Sequence, residues 1–403
     1  MRILNVTQSY APFFEFGGPP VKVRALAEGM ARRGHQVTVL TADWGLEDRL
    51  KELQGEPAAP PGPFGRTQVV AGVTAIYLPI WLHFRATSWN PALGRYLRAR
   101  LADFDVAHIY GLYDFLGPRV ATECRKRKIP YIVEPIGMFV PIVRNIRMKQ
   151  AYHRLWGRTM LQNADAIIAT AEQERDELLS GGVDPARIHL RRNGVEAPAA
   201  LPARGSFRAQ LKIPDQAKLI LFLGRLSSKK SPDLLLRAFQ LLQTSPDRGE
   251  TEVHLAFIGP DEAGMEARLI DLAKSSGIGE YVHFRGPLTG EAKWQAYRDA
   301  DVFVLPSQNE NFGNTAAESI AVGTPVIVTD QCGIAPLLKD AAGLVVRHNE
   351  DELARALSRL LSDQGLQSQL REGCVAVAAS LSWEQPLGEM EMIYSSLARR
   401  TKT

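Results

Sequence analysis

The chain has 403 residues, with 45% hydrophobic and 23% charged side chains, 33 glycines and 25 prolines. This is ordinary globular usage and excludes a disordered, collagenous or low-complexity chain, while at about 150 residues per domain the length points to two or three domains with sizeable cores. The net charge of +4 is uneven, since residues 1–205 carry 27 Lys+Arg against 19 Asp+Glu and the remainder is net negative; either the first half meets an anionic ligand or surface, or its arginines are simply scattered in solvent.

No apolar run approaches the roughly 18–20 residues that span a bilayer. The opening MRILNVTQSY is too short and too polar for a secretory signal and reads as a first strand. Cys124, Cys332 and Cys374 lie far apart without CxxC spacing, against a disulfide framework or a cysteine zinc site. The expectation is a cytoplasmic protein.

Ile3–Thr7 predicts a strand, followed by the glycine loop Phe16-Gly17-Gly18-Pro19-Pro20. Val23, Leu26, Ala27 and Met30 then mark one face of a helix capped at Gly34, and Val37–Thr41 predicts the next strand. Strand, helix and strand at this spacing form a βαβ unit and hence a parallel sheet. Further strands are expected at Val69–Leu78, Asp105–Ile109, Tyr131–Glu134 and Ala166–Thr170. Pro198 and Pro202 make Ala197–Arg204 a linker, after which the alternation restarts with strands at Leu219–Leu223, Val253–Ile258, Val282–Phe284, Val302–Leu305, Val326–Thr329 and Leu344–Val346. Leu387, Met390, Ile393, Tyr394 and Leu397 form a helical stripe within Ser382–Arg400 that must dock elsewhere on the body. Ligands of parallel sheets bind beyond the carboxyl ends of the strands, and two facing sheets leave a cleft.

Three motifs lie at such ends. Leu221-Phe222-Leu223-Gly224 runs straight into Arg225, and Lys230 follows five residues later; two cations converging there suit a diphosphate, both bound and as a leaving group. Pro306–Glu318 follows the strand Val302–Leu305 and opens a small-residue helix over Thr315–Val322. Amides around Phe312–Thr315 would meet phosphate oxygens there. Glu318, one turn into that helix, can take the hydroxyls of a ribose. Glu310 can bind sugar hydroxyls or lie under a reacting anomeric carbon. The third motif, Gly17-Gly18, lets backbone approach a phosphate, although a plain tight turn explains it equally well.

Gly224-Arg225 with Lys230, Glu310 and Glu318 with seven residues between them, Gly17-Gly18, Gly34-His35-Gln36-Val37-Thr38-Val39 and Asn193-Gly194-Val195 all occur in this chain. The set resembles the retaining glycosyltransferases of family 4, the glycogen-synthase-like and mannosyltransferase-like group. The similarity runs over nearly the whole chain and is strongest across residues 215–345. The resemblance implies an α/β protein of the GT-B fold, with two Rossmann-like domains facing a central cleft. They are an N-terminal acceptor-side domain over 1–198, joined by the C-terminal helix 382–403, and a C-terminal nucleotide-sugar-binding domain over 199–381. It also implies that Arg225 and Lys230 hold the donor diphosphate opposite Gly17 and Gly18. Phe312, Gly313 and Asn314 would then supply loop contacts, Glu318 the ribose contact and Glu310 the donor-sugar contact, with no cofactor and no divalent metal. Asp103-Phe104-Asp105 has the spacing of a metal-binding DxD motif but reads as structural turn chemistry.

The chain departs from the family at Tyr131–Met138, where Ile136 stands at the position of a histidine common in that group. Glu134, at the end of the same strand, is either a site residue in a related role or half of a structural ion pair. His108 is a secondary candidate, equally a hydrogen-bonded core residue.

The expected partners are a nucleoside-diphosphate-sugar donor, UDP-linked by the family's commonest usage, and a glycan or lipid-linked glycan acceptor in bacterial surface polysaccharide assembly. No nucleic acid is expected. Arg125-Lys126-Arg127-Lys128 forms a basic run. Arg144, Arg147, Lys149, Arg154 and Arg158 are interleaved with Ile142, Ile146, Leu155 and Trp156, and Trp81, Phe84 and Trp89 lie near Arg85 and Arg95. Such segments suit peripheral docking to the inner face of an anionic membrane; the alternative is a helix packing its apolar face on the sheet. An epimerase or phosphorylase of the same fold and a catalytically silent glycan-binding protein are the alternative functions. A dinucleotide oxidoreductase is disfavoured, because no GxGxxG follows a strand with an acidic residue about 20 further on.

Overall fold

The computed structural model describes residues 1–49, 61–84, 87–140, 146–245, 251–338 and 341–400. The chain divides into two compact units, one made of Met1–Asn193 with the segment from Trp383 onward, the other of Gly194–Ser382.

The first unit is built on an eight-stranded sheet. Its strands are β1 (Arg2–Thr7), β2 (Gln36–Ala42), β3 (Arg66–Val70), β4 (Val73–Leu78), β7 (Val106–Tyr110), β8 (Tyr131–Glu134), β9 (Ala166–Ala169) and β10 (Ile188–Leu190). Their spatial order is β10-β9-β8-β7-β1-β2-β4-β3. All neighbours are parallel except β3 and β4. A separate hairpin joins β5 (Leu82–Phe84) to β6 (Thr87–Trp89). Alternate side chains enter opposite faces, as the pleat requires: Leu4 and Val6 join the cluster with Ala107, Ile109 and Val133, while Ile3 joins that of Val106 and Ile132.

The expected single strand Val69–Leu78 is instead the turn of a hairpin. Val70 pairs with Val73 across Ala71-Gly72, and both turn residues have positive φ, 51° and 78°. A two-residue loop with both φ positive matches the twist of antiparallel strands. Ala-Gly performs this without the asparagine or aspartate that would have announced it.

The second unit carries a wholly parallel six-stranded sheet of β11 (Lys218–Leu223), β12 (Val253–Ile258), β13 (Val282–Arg285), β14 (Val302–Leu305), β15 (Val326–Thr329) and β16 (Gly343–Val346), in the order β13-β12-β11-β14-β15-β16. Leu219, Leu221 and Leu223 face one core, Ile220 and Phe222 the other. Strands buried on both faces read as continuous apolar runs, which is why these segments stand out in the sequence. Both sheets are doubly wound, and the strand order reverses beside β1 in the first unit and beside β11 in the second, the place where such sheets bind ligands.

The helices that matter below are α1 (Gly18–Arg32), α2 (Ala92–Arg100), α3 (Leu116–Arg127), α4 (Pro232–Thr244), α5 (Asn314–Ala321) and α6 (Glu384–Arg400). On α6, Leu387, Met390, Tyr394 and Leu397 are buried in a core of the first unit. A Cβ on Gly29 of α1 would stand 2.5 Å from Leu387, so the small residue permits the close approach of α1 and α6. Arg33 and His35 then clasp Glu391 at 2.9 Å each.

Candidate active site

In the second unit, Gly224 and Arg225 follow directly on β11, the Arg225 side chain being 44% exposed and its guanidinium 3.5 Å from Glu262. Lys230 ends a short 3-10 turn, Ser228–Lys230, before α4. It forms a direct ion pair with Glu310, the two side chains being 22% and 17% exposed. Backbone bonds fix this meeting. Gln308 N–H donates to Lys229 O at 3.0 Å, Glu310 N–H to Gln331 O at 3.0 Å, and Gly333 N–H to Glu310 O at 2.9 Å.

Gly313 caps the N-terminus of α5 with φ 106°, a left-handed conformation that glycine adopts without a Cβ penalty. In the first turn, Thr315 Oγ1 is buried with no hydrogen-bond partner. A helix N-terminus with a nearby unused hydroxyl is a natural anion site. The side chain of Phe312 lies 2% exposed in the core, in keeping with a contact made by the loop backbone. Only its backbone can reach a ligand. Glu318 is held by two residues that sequence reading missed: Lys293 Nζ donates to Oε1 at 2.8 Å and Tyr297 OH donates to Oε2 at 2.9 Å. Both lie on the helix Gly290–Asp299 and carry no motif of their own. Beneath the loop, Cys332 is buried, which pushes its thiol up to about 12 and leaves it inert.

In the first unit, Gly17 caps α1 with φ 97°. Pro19 and Pro20 follow Gly18 in the first turn. They have no N–H to offer, so this helix end presents fewer donors than α5 does. One turn on, Lys22 is 2% exposed and donates to Thr170 Oγ1 at 2.9 Å. It also pairs with Glu134, whose carboxylate accepts from Arg191 at 2.6 and 2.8 Å and lies 3.4 Å from His108. Glu134 and His108 are wholly buried and Arg191 is 1% exposed. Burial alone would raise the Glu134 carboxyl, but Arg191 and Lys22 overcome it and hold the group well below the usual range. For the Lys22 ammonium, burial outweighs the attraction of Glu134 and, more weakly, Glu174, and it is pushed down to about 8.

This packing places Glu134 in the ion-pair alternative and not as a carboxylate open to a substrate. His108, lowered by burial, is stacked on Tyr110 at 4.0 Å and hydrogen-bonded to Tyr394 OH at 2.7 Å, the core alternative. Ile136 has φ 56°, an outlier for a β-branched residue. The following turn is held by Glu174, which accepts from Gly137 N–H and Thr170 N–H. In the DxD-like segment, Asp103 pairs with Arg100 and Asp105 accepts from Arg2 N–H at 2.7 Å. Among the described residues no helix is long and apolar enough to cross a membrane. Of the basic amphipathic positions, Arg85, Ile142 and Arg144 lie outside the described residues. Ile146, Leu155 and Trp156 are exposed rather than packed on the sheet.

Residues 17–194 match the family described as Glycosyl transferase 4-like domain, and residues 203–374 match Glycosyl transferases group 1. The D-inositol 3-phosphate glycosyltransferase of Streptomyces bingchenggensis is 36% identical over 244 residues, 59% of this chain and 54% of that protein. The one from Salinispora arenicola is 33% identical over 248 residues, covering 58% and 55%. The chain thus spans about half the length of the curated relatives it matches. Among solved structures, sucrose-phosphate synthase from Thermosynechococcus elongatus superposes with TM-score 0.73 at 22% identity, covering 98% of each chain. Anabaena HepE in complex with UDP and glucose superposes with TM-score 0.74 at 16% identity, covering 98% of this chain and all of that one. With both units doubly wound and each matched by its own family, the chain belongs to the family-4-like glycosyltransferases and has their GT-B fold.

Proposed function

We propose that the protein transfers a sugar from a nucleoside-diphosphate donor to a hydroxyl of a glycan or lipid-linked glycan, in bacterial surface polysaccharide assembly. The observation that carries this reading is the gathering of Arg225, Lys230, Glu310, Glu318 and the α5 N-terminus around the switch point of one sheet. Glu318 takes the ribose hydroxyls, its oxygens oriented by Lys293 and Tyr297. Arg225, Lys230 and the α5 amides receive the diphosphate. Gly313 and Asn314 supply loop contacts. As a phosphate draws on Lys230, the ion pair loosens and the Glu310 carboxylate is freed for the donor sugar.

Charge develops on the leaving diphosphate in the transition state, where fixed cations and a helix N-terminus stabilise it without rearrangement. In keeping with the resemblance to family 4, the transfer is retaining and metal-independent: the leaving phosphate takes the acceptor proton on the face it departs from, and no protein base is required. UDP is the favoured donor nucleotide, in keeping with the UDP complex of HepE. The exposed Trp81, Leu82, Phe84 and Leu155 support peripheral attachment at the inner face of an anionic membrane. Calorimetric titration with UDP, GDP and ADP, with and without magnesium, tests the reading. Metal-independent binding of one nucleotide is expected; no binding of any would reject it.

A further inference from the structure

The first unit leaves three aromatic rings unfinished. Trp89, Phe115 and Trp156 are 49%, 36% and 42% exposed, and they meet edge-on, Trp89 to Phe115 at 5.6 Å and Phe115 to Trp156 at 5.7 Å. They line a cavity of about 410 Å³ whose other walls are the first turns of α2 and α3. A second hollow of about 200 Å³ shares Pro118, Thr122 and Trp156 with it and reaches Leu155 and Arg125. The combined groove is within the size of small-ligand sites, which are apolar with a few placed polar groups.

The polar groups decide what could fill it. Ser88 Oγ donates to Asn90 Oδ1 at 2.6 Å, Asn90 Nδ2 donates to Leu78 O at 3.1 Å, and Thr122 Oγ1 donates to Pro118 O at 2.8 Å. The donors of the wall are therefore spent within the protein, a poor lining for a sugar, whose hydroxyls need partners. The exception is charge. Nitrogens of Arg119 and Arg98 stand 3.6 and 3.7 Å from where a Cβ of Gly94 would lie, at the groove. α2 carries no acidic residue; Asp103, in the turn after it, pairs with Arg100, and Glu123 of α3 pairs with Lys126. Among the described residues no carboxylate pairs with Arg98 or Arg119. Two guanidinium groups converging without an anion between them, beside an apolar trough, are complementary to one class of ligand.

We propose that this groove holds the hydrocarbon chain of a phosphate-bearing lipid, with the phosphate against Arg98 and Arg119, and that this lipid carries the acceptor. The last clause rests on the transfer reading above. The groove lies at the carboxyl end of the sheet, since α3 follows β7. Its wall is tied to the loop after β1 by Gln8 Nε2, which donates to Ser88 Oγ at 2.7 Å. That loop leads to Gly17-Gly18.

The test titrates the whole protein with farnesyl phosphate below its micelle concentration, followed by tryptophan fluorescence and calorimetry. Farnesol and inorganic phosphate are the comparison ligands. Saturable binding is expected for farnesyl phosphate, at least tenfold weaker binding for farnesol, and none for phosphate alone. Gly94→Phe fills the trough from an open helix position and Arg119→Glu reverses the charge. Each should weaken farnesyl phosphate at least tenfold, with an unchanged melting curve and unchanged UDP binding. Equal affinity for farnesol, indifference to both variants, or binding to anionic vesicles without binding to the monomeric lipid would overturn the groove. Failure of UDP to bind while farnesyl phosphate still does would remove the transfer reading and leave the groove standing.

Discussion

Both units place charged residues at or just after the carboxyl ends of parallel strands, yet they treat them in opposite ways. In the first unit, Lys22, Glu134 and Arg191 are sealed from water. In the second, Lys230 with Glu310 and Arg225 with Glu262 remain partly open. A sealed cluster cannot exchange partners, so its energy goes into holding α1 and its glycine cap against β8 and β9. An open pair can give up one partner to a ligand at modest cost. Burial, more than residue type, separates architecture from chemistry here.

The sharpest way to break this comparison is to remove one carboxylate from each cluster. Glu310→Gln should reduce sugar transfer at least a thousandfold, about 4 kcal/mol in the barrier, while UDP binding and denaturation midpoint stay close to wild type. Retained turnover would end its assigned role. Glu134→Gln strands two buried cations and should cost about 3–5 kcal/mol of stability, read as a lower urea midpoint. If both variants destabilise alike, the contrast between the units is wrong.

Smaller effects refine the picture. Arg225→Ala and Lys230→Ala should each weaken UDP by about 1.5–3 kcal/mol, roughly ten- to a hundredfold by calorimetry, with little change in folding; unchanged affinity would remove them from the diphosphate site. The least effect is a pH slope. Lys22 titrates near 8 when folded and near its ordinary 10.5 when unfolded. Between those values the unfolded chain binds the extra proton, so stability should rise with pH, by at most about 1.4 kcal/mol per pH unit. Lys22→Met should lose that rise relative to wild type; an identical pH profile for the two would show that Lys22 does not titrate in this window.

Most of the fold could be read because buried parallel strands are uninterrupted apolar runs, such as Leu219–Leu223 and Val302–Leu305. What escaped was carried by residues without a signature. Ala71-Gly72 turns a hairpin without asparagine, and Val69–Leu78 therefore looked continuous. The motif residues Arg225, Lys230, Glu310 and Glu318 could be named from their spacing, but not the groups that aim them. Lys293 and Tyr297 act across 25 and 21 residues, a separation at which local pattern carries no information. For Glu134 and His108 the sequence left a site role and a core role both open, because the choice depends on what packs over them. For His108 that includes Tyr394, 286 residues away.

The return of α6 to the first unit sets the order in which the protein can be made. Synthesis generally lets the earlier part of a chain fold first. Here the first unit still lacks Leu387, Met390 and Tyr394 when Ser382 has been added, whereas the second unit is already complete. The later-made unit can therefore close before the earlier one. Until α6 is present, the groove between Gly29 and the incomplete core, and the ring of His108, wait for their cover, so a released chain cut after Ser382 would hold a complete second unit tethered to an unfinished first.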